Sequence, residues 1–310
     1  MTKYAIRTEN LSRDFGSVQA VDRLSLEVPE GNVFGFLGPN GAGKTTTIRL
    51  LLGLLEPTQG RAEVLGYDSQ TQAEEIRLRT GALLEHSGLY ERLSAEDNLQ
   101  FYGRIWHMPG REREARIEEL LVHLELWERR KEIVGTWSRG MKQKLAIARA
   151  LFHHRELLFL DEPTAGLDPI AAASLRDDLA GLAAREGVTV FLTTHNLAEA
   201  EKLCRLVGVI RQGRLLAVGS PDELRASQGK PRMEVLGRGF SENALALLRA
   251  RSEVARVEQQ DHHLLIDLHG TTDTAPLVRL LVDAGVEVEE VHRANASLEE
   301  AFLTLMEEEK

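Results

Sequence analysis

The sequence predicts an α/β core that carries a helical insert and is followed by a smaller α+β unit. Three observations predict it. Residues 33–37, 157–161 and 188–193 are short β-rich runs, apolar on both faces, as in the central strands of a parallel sheet covered by helices. Between the first two runs, Ile117, Leu120, Leu121 and Leu124 recur at helical spacing, which places a helical subdomain at about residues 86–150. Beyond Pro231 short strands and helices follow each other in a new order.

That order begins with a strand near 233–236, a helix from about Glu242, and strands near 254–257 and 264–268. A helix near 275–284, a strand near 286–291 and a helix from Ser297 complete it. The sequence β-α-β-β-α-β with one extra helix suits a ferredoxin-like unit. Ser220-Pro221-Asp222-Glu223 reads as a turn entering a short helix, and residues 228–231 read as a linker. The expected domains are therefore 1–228 and 231–310. A length of 310 residues agrees with two domains, and 43% hydrophobic residues suffice for a sizeable core.

The formal net charge of -10 opposes a phosphate backbone, and no basic stripe with interleaved aromatics offsets it, so nucleic acid is not an expected partner. Cys204, the single cysteine, cannot form an internal disulfide. Residues 1–10 carry charges at Lys3, Arg7 and Glu9 and lack a signal-peptide core. The longest apolar run, near 50–55, is broken by Gly53 and falls far short of the roughly 20 residues that cross a bilayer. A cytoplasmic chain is expected, with any membrane role supplied by a separate subunit. The pairs His153-His154 and His262-His263 lack further ligands at zinc-site spacing.

Gly38-Pro39-Asn40-Gly41-Ala42-Gly43-Lys44-Thr45 satisfies G-x-x-x-x-G-K-[ST], directly after one apolar run and before the helical run that opens at Thr46. Glycines let consecutive N–H groups curl around a phosphate, and the helix N-terminus adds positive potential. Lys44 supplies a point charge for the β and γ phosphates, and Thr45 is placed to ligate magnesium. The loop alone leaves a GTPase, a small-molecule kinase and a transport ATPase open, although an Asn-Lys-x-Asp guanine-reading motif is absent. The run 157–161 ends in Asp161-Glu162, where an open α/β sheet presents its ligands. Asp161 can hold magnesium through water, and Glu162 can polarise an attacking water as general base.

With these two motifs in place, Trp137-Ser138-Arg139-Gly140-Met141-Lys142-Gln143 resembles the signature motif of the ABC ATPase family. Arg139 and Met141 stand where many members have glycine and glutamine. Ser138 is a good N-cap, and Met141, Leu145, Ala148 and Phe152 form an apolar stripe on the helix it starts. The resemblance implies that this helix end, with Ser138 and Gly140, points at a γ-phosphate held by an opposite subunit. Residues 165–169 are similar to the family's D-loop, with Asp168 its dimer-contacting acid, and His195 matches its switch histidine. Phe15 lies in a stretch resembling the base-stacking segment, where its ring stacks on adenine or packs beneath a loop. Glu85 takes the place of a glutamine that reaches magnesium, as in one branch of peptide and antibiotic exporters.

The implied ligands are ATP and Mg2+. The implied partners are a second ATPase chain, identical or homologous, and separate transmembrane permease subunits. Residues 297–303 resemble the closing helix of drug-export and antibiotic-resistance ATPases, and read equally as an amphipathic terminal helix with Leu298, Phe302 and Leu305 facing a core. The expected function is thus the ATP-hydrolysing subunit of a membrane exporter, the alternative being a soluble ABC ATPase acting on ribosomes or DNA.

Overall fold

The computed structural model describes residues 3–153, 155–228, 232–269, 273–294 and 297–307, so His154 and residues 229–231 of the expected linker lie outside it. The chain divides into two units, residues 1–218 and 219–310.

The first unit opens with β1 (Tyr4–Phe15), β2 (Val18–Pro29), β3 (Val33–Leu37) and α1 (Lys44–Leu51). There follow β4 (Gln59–Val64), β5 (Tyr67–Asp68), α2 (Ala73–Arg79) and β6 (Thr80–Leu83). The helical subdomain is α3 (Ala95–Ile105), α4 (Gly110–His123) and α5 (Arg139–Leu151). Then come β7 (Leu157–Asp161), α6 (Pro169–Glu186), β8 (Thr189–Thr194), α7 (Leu197–Leu203), β9 (Leu206–Arg211) and β10 (Arg214–Gly219).

Six strands form one sheet in the order β10-β9-β3-β8-β7-β6. The pairs from β9 to β6 are all parallel, as the doubly apolar runs require. Phe34 and Phe36 of β3 and Phe159 of β7 surround Phe191 of β8, with ring centroids 5.3, 5.5 and 5.7 Å from it. These fully buried rings lock together the three strands whose C-terminal ends carry the phosphate loop, Asp161-Glu162 and His195. A four-stranded sheet, β2-β1-β4-β5, is not among the elements expected from the sequence, although Leu24, Leu26 and Val28 alternate inward along β2.

In α4 the expected stripe is buried at Ile117, Leu120 and Leu121, and Leu124 caps the helix from a buried position. In α5 the buried set is Leu145, Ala146, Ile147, Ala148, Ala150 and Leu151, whereas Met141 is only half-buried. The stripe therefore begins a turn later than expected, because the first turn of α5 faces a cleft rather than the core.

The second unit contains α8 (Pro221–Gln228), β11 (Arg232–Arg238), α9 (Glu242–Arg249), β12 (Val254–Gln260) and β13 (His263–Leu268). It closes with α10 (Ala275–Asp283), β14 (Glu287–Ala294) and α11 (Leu298–Glu307). Its sheet order is β12-β13-β11-β14 with antiparallel pairs, the arrangement of the expected ferredoxin-like unit. Its core packs Met233, Val235, Leu264 and Ile266 of the sheet with Leu245 and Leu248 of α9 and Leu277 and Leu281 of α10. The division falls at 218–219 rather than at 228–231, and α8 groups with the second unit. The physical reason is that α8 packs on α11, where Leu224 of one helix and Leu298, Ala301 and Leu305 of the other are buried. Among the described residues no helix is long and apolar enough to cross a membrane.

Candidate functional site

The loop between β3 and α1 is shaped by backbone that only glycine adopts easily. Gly41 and Gly43 sit at φ 79° and 103°, and a Cβ on Gly43 would lie 2.3 Å from the Ala20 carbonyl oxygen. Gly43 is the N-cap of α1 and offers no side-chain acceptor, so the N–H groups at this helix start remain for a ligand. Lys44 is 6% exposed and folds back over the loop, donating to the carbonyls of Gly38 at 2.7 Å and Pro39 at 3.1 Å. Its ammonium also lies 3.0 Å from Glu162 Oε1.

The acidic end of β7 meets this loop. Thr45 Oγ1 donates to Asp161 Oδ2 at 2.6 Å, and Thr193 Oγ1 at the end of β8 donates to Asp161 Oδ1 at 2.5 Å. Glu162 stands at φ 50°, a left-handed conformation that costs a non-glycine residue about 1–2 kcal/mol. Its N–H is held by the Thr193 carbonyl at 3.1 Å and hydroxyl at 3.0 Å. This strained turn aims the carboxylate back across the sheet end, where Oε2 lies 2.5 Å from His195 Nδ1. Lys44, Glu162 and His195 thus form one chain of contacts.

A cleft of about 780 Å³, a size suited to one nucleotide, runs over Lys44 and Glu162, while His195 touches Glu162 from outside its lining. It is lined by Asn40, Gly41, Ala42, Gly43, Lys44, Thr45 and Thr46 from the loop, by Asp161 and Glu162, and by Glu85 from the segment after β6. Gly38 and Pro39 lie behind it and present carbonyls to Lys44 instead. Glu85 pairs with Arg49 of α1 at 2.8 Å. Val18, Gln19 and Ala20 of β2 also line the cleft and are not among the expected site residues. Phe15, by contrast, is not in its lining; it is 44% exposed, with the Arg13 guanidinium 4.7 Å from its ring centroid.

Ser138 caps α5, accepting from the Met141 N–H at 3.3 Å, and Gly140 packs near Ala171 of α6. Neither lines this chain's own cleft, whereas Arg139, Lys142 and Gln143 do. The amide of Gln143 donates to the Pro163 carbonyl at 2.7 Å, tying α5 to the turn that follows Glu162. Asp168 is the N-cap of α6, accepting from the N–H groups of Ile170 and Ala171 at 3.1 and 2.9 Å ahead of Pro169. Glu199, unanticipated from the sequence, is fully buried on α7 beneath the Glu162 and His195 turns. Burial pushes its carboxyl up from the usual range, against the hydroxyl bonds of Thr194 and Thr164.

A metal ion is compatible with the donors here. The Thr45 hydroxyl and the Asp161 carboxylate, 2.6 Å apart, are hard oxygen ligands of the kind that suit Mg2+.

The family described as ABC transporter matches residues 21–165, and the C-terminal domain of DrrA1-3-like ATP-binding proteins matches residues 219–306. The daunorubicin resistance ATP-binding protein DrrA3 of Streptomyces coeruleorubidus is 38% identical over 306 residues, covering 98% of this chain and 96% of that protein. The chain belongs to the ABC transporter ATP-binding subunits. The bacitracin transport ATP-binding protein BcrA of Bacillus licheniformis is 37% identical over 301 residues, covering 97% of each chain. A solved ATP-binding subunit of an ABC transporter superposes with a TM-score of 0.64 at 31% identity, covering 72% of this chain and 92% of its own. Membership makes this an ATP-binding ABC ATPase, and the phosphate loop and Asp161-Glu162 lie within its matched segment.

Proposed function

We propose that this ABC subunit hydrolyses ATP to drive export of a drug- or antibiotic-like compound, as a dimer on the cytoplasmic face of separate membrane-spanning subunits. The observation that carries the export reading is that likeness to resistance and antibiotic-transport ATP-binding proteins runs through both units, not through the ATPase core alone.

In this reading the loop 38–46 cradles the phosphates, and Phe15 turns an exposed ring face toward the adenine. Thr45 and Asp161 hold Mg2+, with Glu85 contributing an oxygen from the facing segment. Held there, the ion would supply positive charge to offset that of the phosphates. Lys44 and Glu162 lie 3.0 Å apart. The γ-phosphate competes for Lys44 and leaves the Glu162 carboxylate free to take a proton from water, while His195 orients it and meets the γ-phosphate. Ser138 and Gly140, outside the chain's own cleft, are presented to the nucleotide of the second chain, whose D-loop contact includes Asp168.

The partner reading is tested by isolating the tagged chain from gently solubilised cells. A multispanning membrane protein is expected in stoichiometric amount. Recovery with ribosomes or DNA and without such a protein would contradict it.

A further inference from the structure

Glu199 is 0% exposed, yet it is a carboxylate, and burying one is costly unless its oxygens are engaged. One oxygen is engaged twice. Oε2 accepts the hydroxyl of Thr164, in the turn after Glu162, at 3.0 Å, and the hydroxyl of Thr194, the neighbour of His195, at 2.7 Å. Thr194 Oγ1 also accepts the Asn196 N–H at 2.9 Å, and Asn196 Oδ1 accepts the Glu199 N–H at 3.2 Å. The His195 turn is therefore closed into a ring that contains Glu199, and the Glu162 turn hangs from the same oxygen by Thr164. Oε1 is buried with no hydrogen-bond partner among the described residues.

For packing alone, an apolar side chain at this position would avoid the desolvation cost. What the carboxylate adds is an oxygen that accepts two hydroxyls from two different loops and donates to neither. Those loops carry the two groups that touch at 2.5 Å, Glu162 Oε2 and His195 Nδ1. The Glu162 turn is also left-handed at φ 50°, so its geometry depends on being held from several sides.

We propose that Glu199 is a positioning residue, which sets Glu162 and His195 against each other by anchoring the turn after β7 and the turn after β8 on one buried oxygen. The proposal rests on the assignment of Glu162 and His195 to hydrolysis. Displacing a reacting group by an ångström costs on the order of 100-fold in rate, so loosening either anchor acts on kcat.

The test measures kcat, KM for ATP and nucleotide affinity of the purified full chain for Glu199→Leu, Glu199→Gln and Thr164→Val, with Glu162→Gln as reference. Glu199→Leu and Thr164→Val are expected to lower kcat by about 10–100-fold with KM and affinity within about twofold. Glu199→Gln keeps a carbonyl that can accept both hydroxyls, so it is expected to recover most of the rate. Should Glu199→Leu fail to fold, Thr164→Val carries the test, because it removes one anchor and keeps Glu199.

A second readout separates positioning from general support of the fold. In single-turnover assays on the Glu162→Gln background, Thr164→Val is expected to add less than about twofold, since the group it positions is already gone. Parallel losses of affinity and kcat, a Gln variant no better than Leu, or a full Thr164→Val effect on that background would each overturn the proposal. If Glu162→Gln itself turns over normally, the hydrolytic assignment beneath it is what fails.

Discussion

Replacing Glu162 by Gln is expected to reduce steady-state ATP hydrolysis by about 10²–10⁴-fold, the contribution typical of a general base. Nucleotide affinity should change little. The amide keeps the size of the side chain, and the N–H that fixes this turn on Thr193 belongs to the backbone. The Lys44 ammonium, 3.0 Å away, loses its carboxylate partner and becomes more available to phosphate. ATP should therefore bind at least as tightly and hold the dimer closed. Steady-state phosphate release and titration with a fluorescent ATP analogue measure the two quantities; turnover within about threefold of the parent would remove Glu162 from its assigned role.

The second large effect concerns stability and lies away from the nucleotide. Arg116 of α4 is 4% exposed and joins the helical subdomain to α6. It donates to both oxygens of Glu186 at 2.8 and 2.9 Å, to Glu119 at 2.8 Å, and to the Leu151 carbonyl at the end of α5 at 2.9 Å. Arg116→Ala removes the bidentate donor of a mostly buried carboxylate, which keeps its 3.6 Å contact with Arg185, and the donor of a helix-end carbonyl, which costs about 3 kcal/mol. For a unit of this size that corresponds to a fall in Tm of roughly 10 °C, measurable by calorimetry. Replacing Arg116 and Glu186 together by apolar residues should cost less, because the buried carboxylate goes too and only the Leu151 carbonyl and the half-exposed Glu119 lose their donor. Equal losses in the single and double variants would show that packing, not the ion pair, holds the helices together.

Residues 38–45 stood out because the pattern G-x-x-x-x-G-K-[ST] restricts both residue type and spacing, and the structure brings this loop against Asp161 at the end of an apolar strand. The second unit was legible in its element order, since each of its strands is short and bounded by turn residues. The sheet built on β1 and β2 was not. Register shifts between Tyr4 and Ile6, Thr8 and Leu11, and Leu11 and Arg13 break the period-two alternation by which a strand is read. Placing the domain boundary also required contacts, because α8 looks like a terminal helix of the core until α11 is seen against it. Locally, Glu199 reads only as the third helical residue after the N-cap Asn196. Its meaning comes from Thr164, far earlier in the chain, and from a burial that a short helix of mixed polarity does not announce.

In the proposed mechanism two chains complete one hydrolytic site. The most direct measurement mixes two inactive variants. Lys44→Ala removes the phosphate-loop charge, and Gly140→Asp places a carboxylate where a γ-phosphate would meet α5. Aspartate is tolerated in a first helical turn, and the new Cβ would lie 3.2 Å from that of Ala171, so a small shift accommodates it. Each variant alone lacks an intact site. In a mixed dimer, one site takes its loop from the Gly140→Asp chain and its signature from the Lys44→Ala chain, and is whole. Random assortment makes half the dimers mixed, with one of two sites intact, so an equimolar mixture should recover about a quarter of the parent hydrolysis rate. A mixture no more active than its separate components would contradict a shared site.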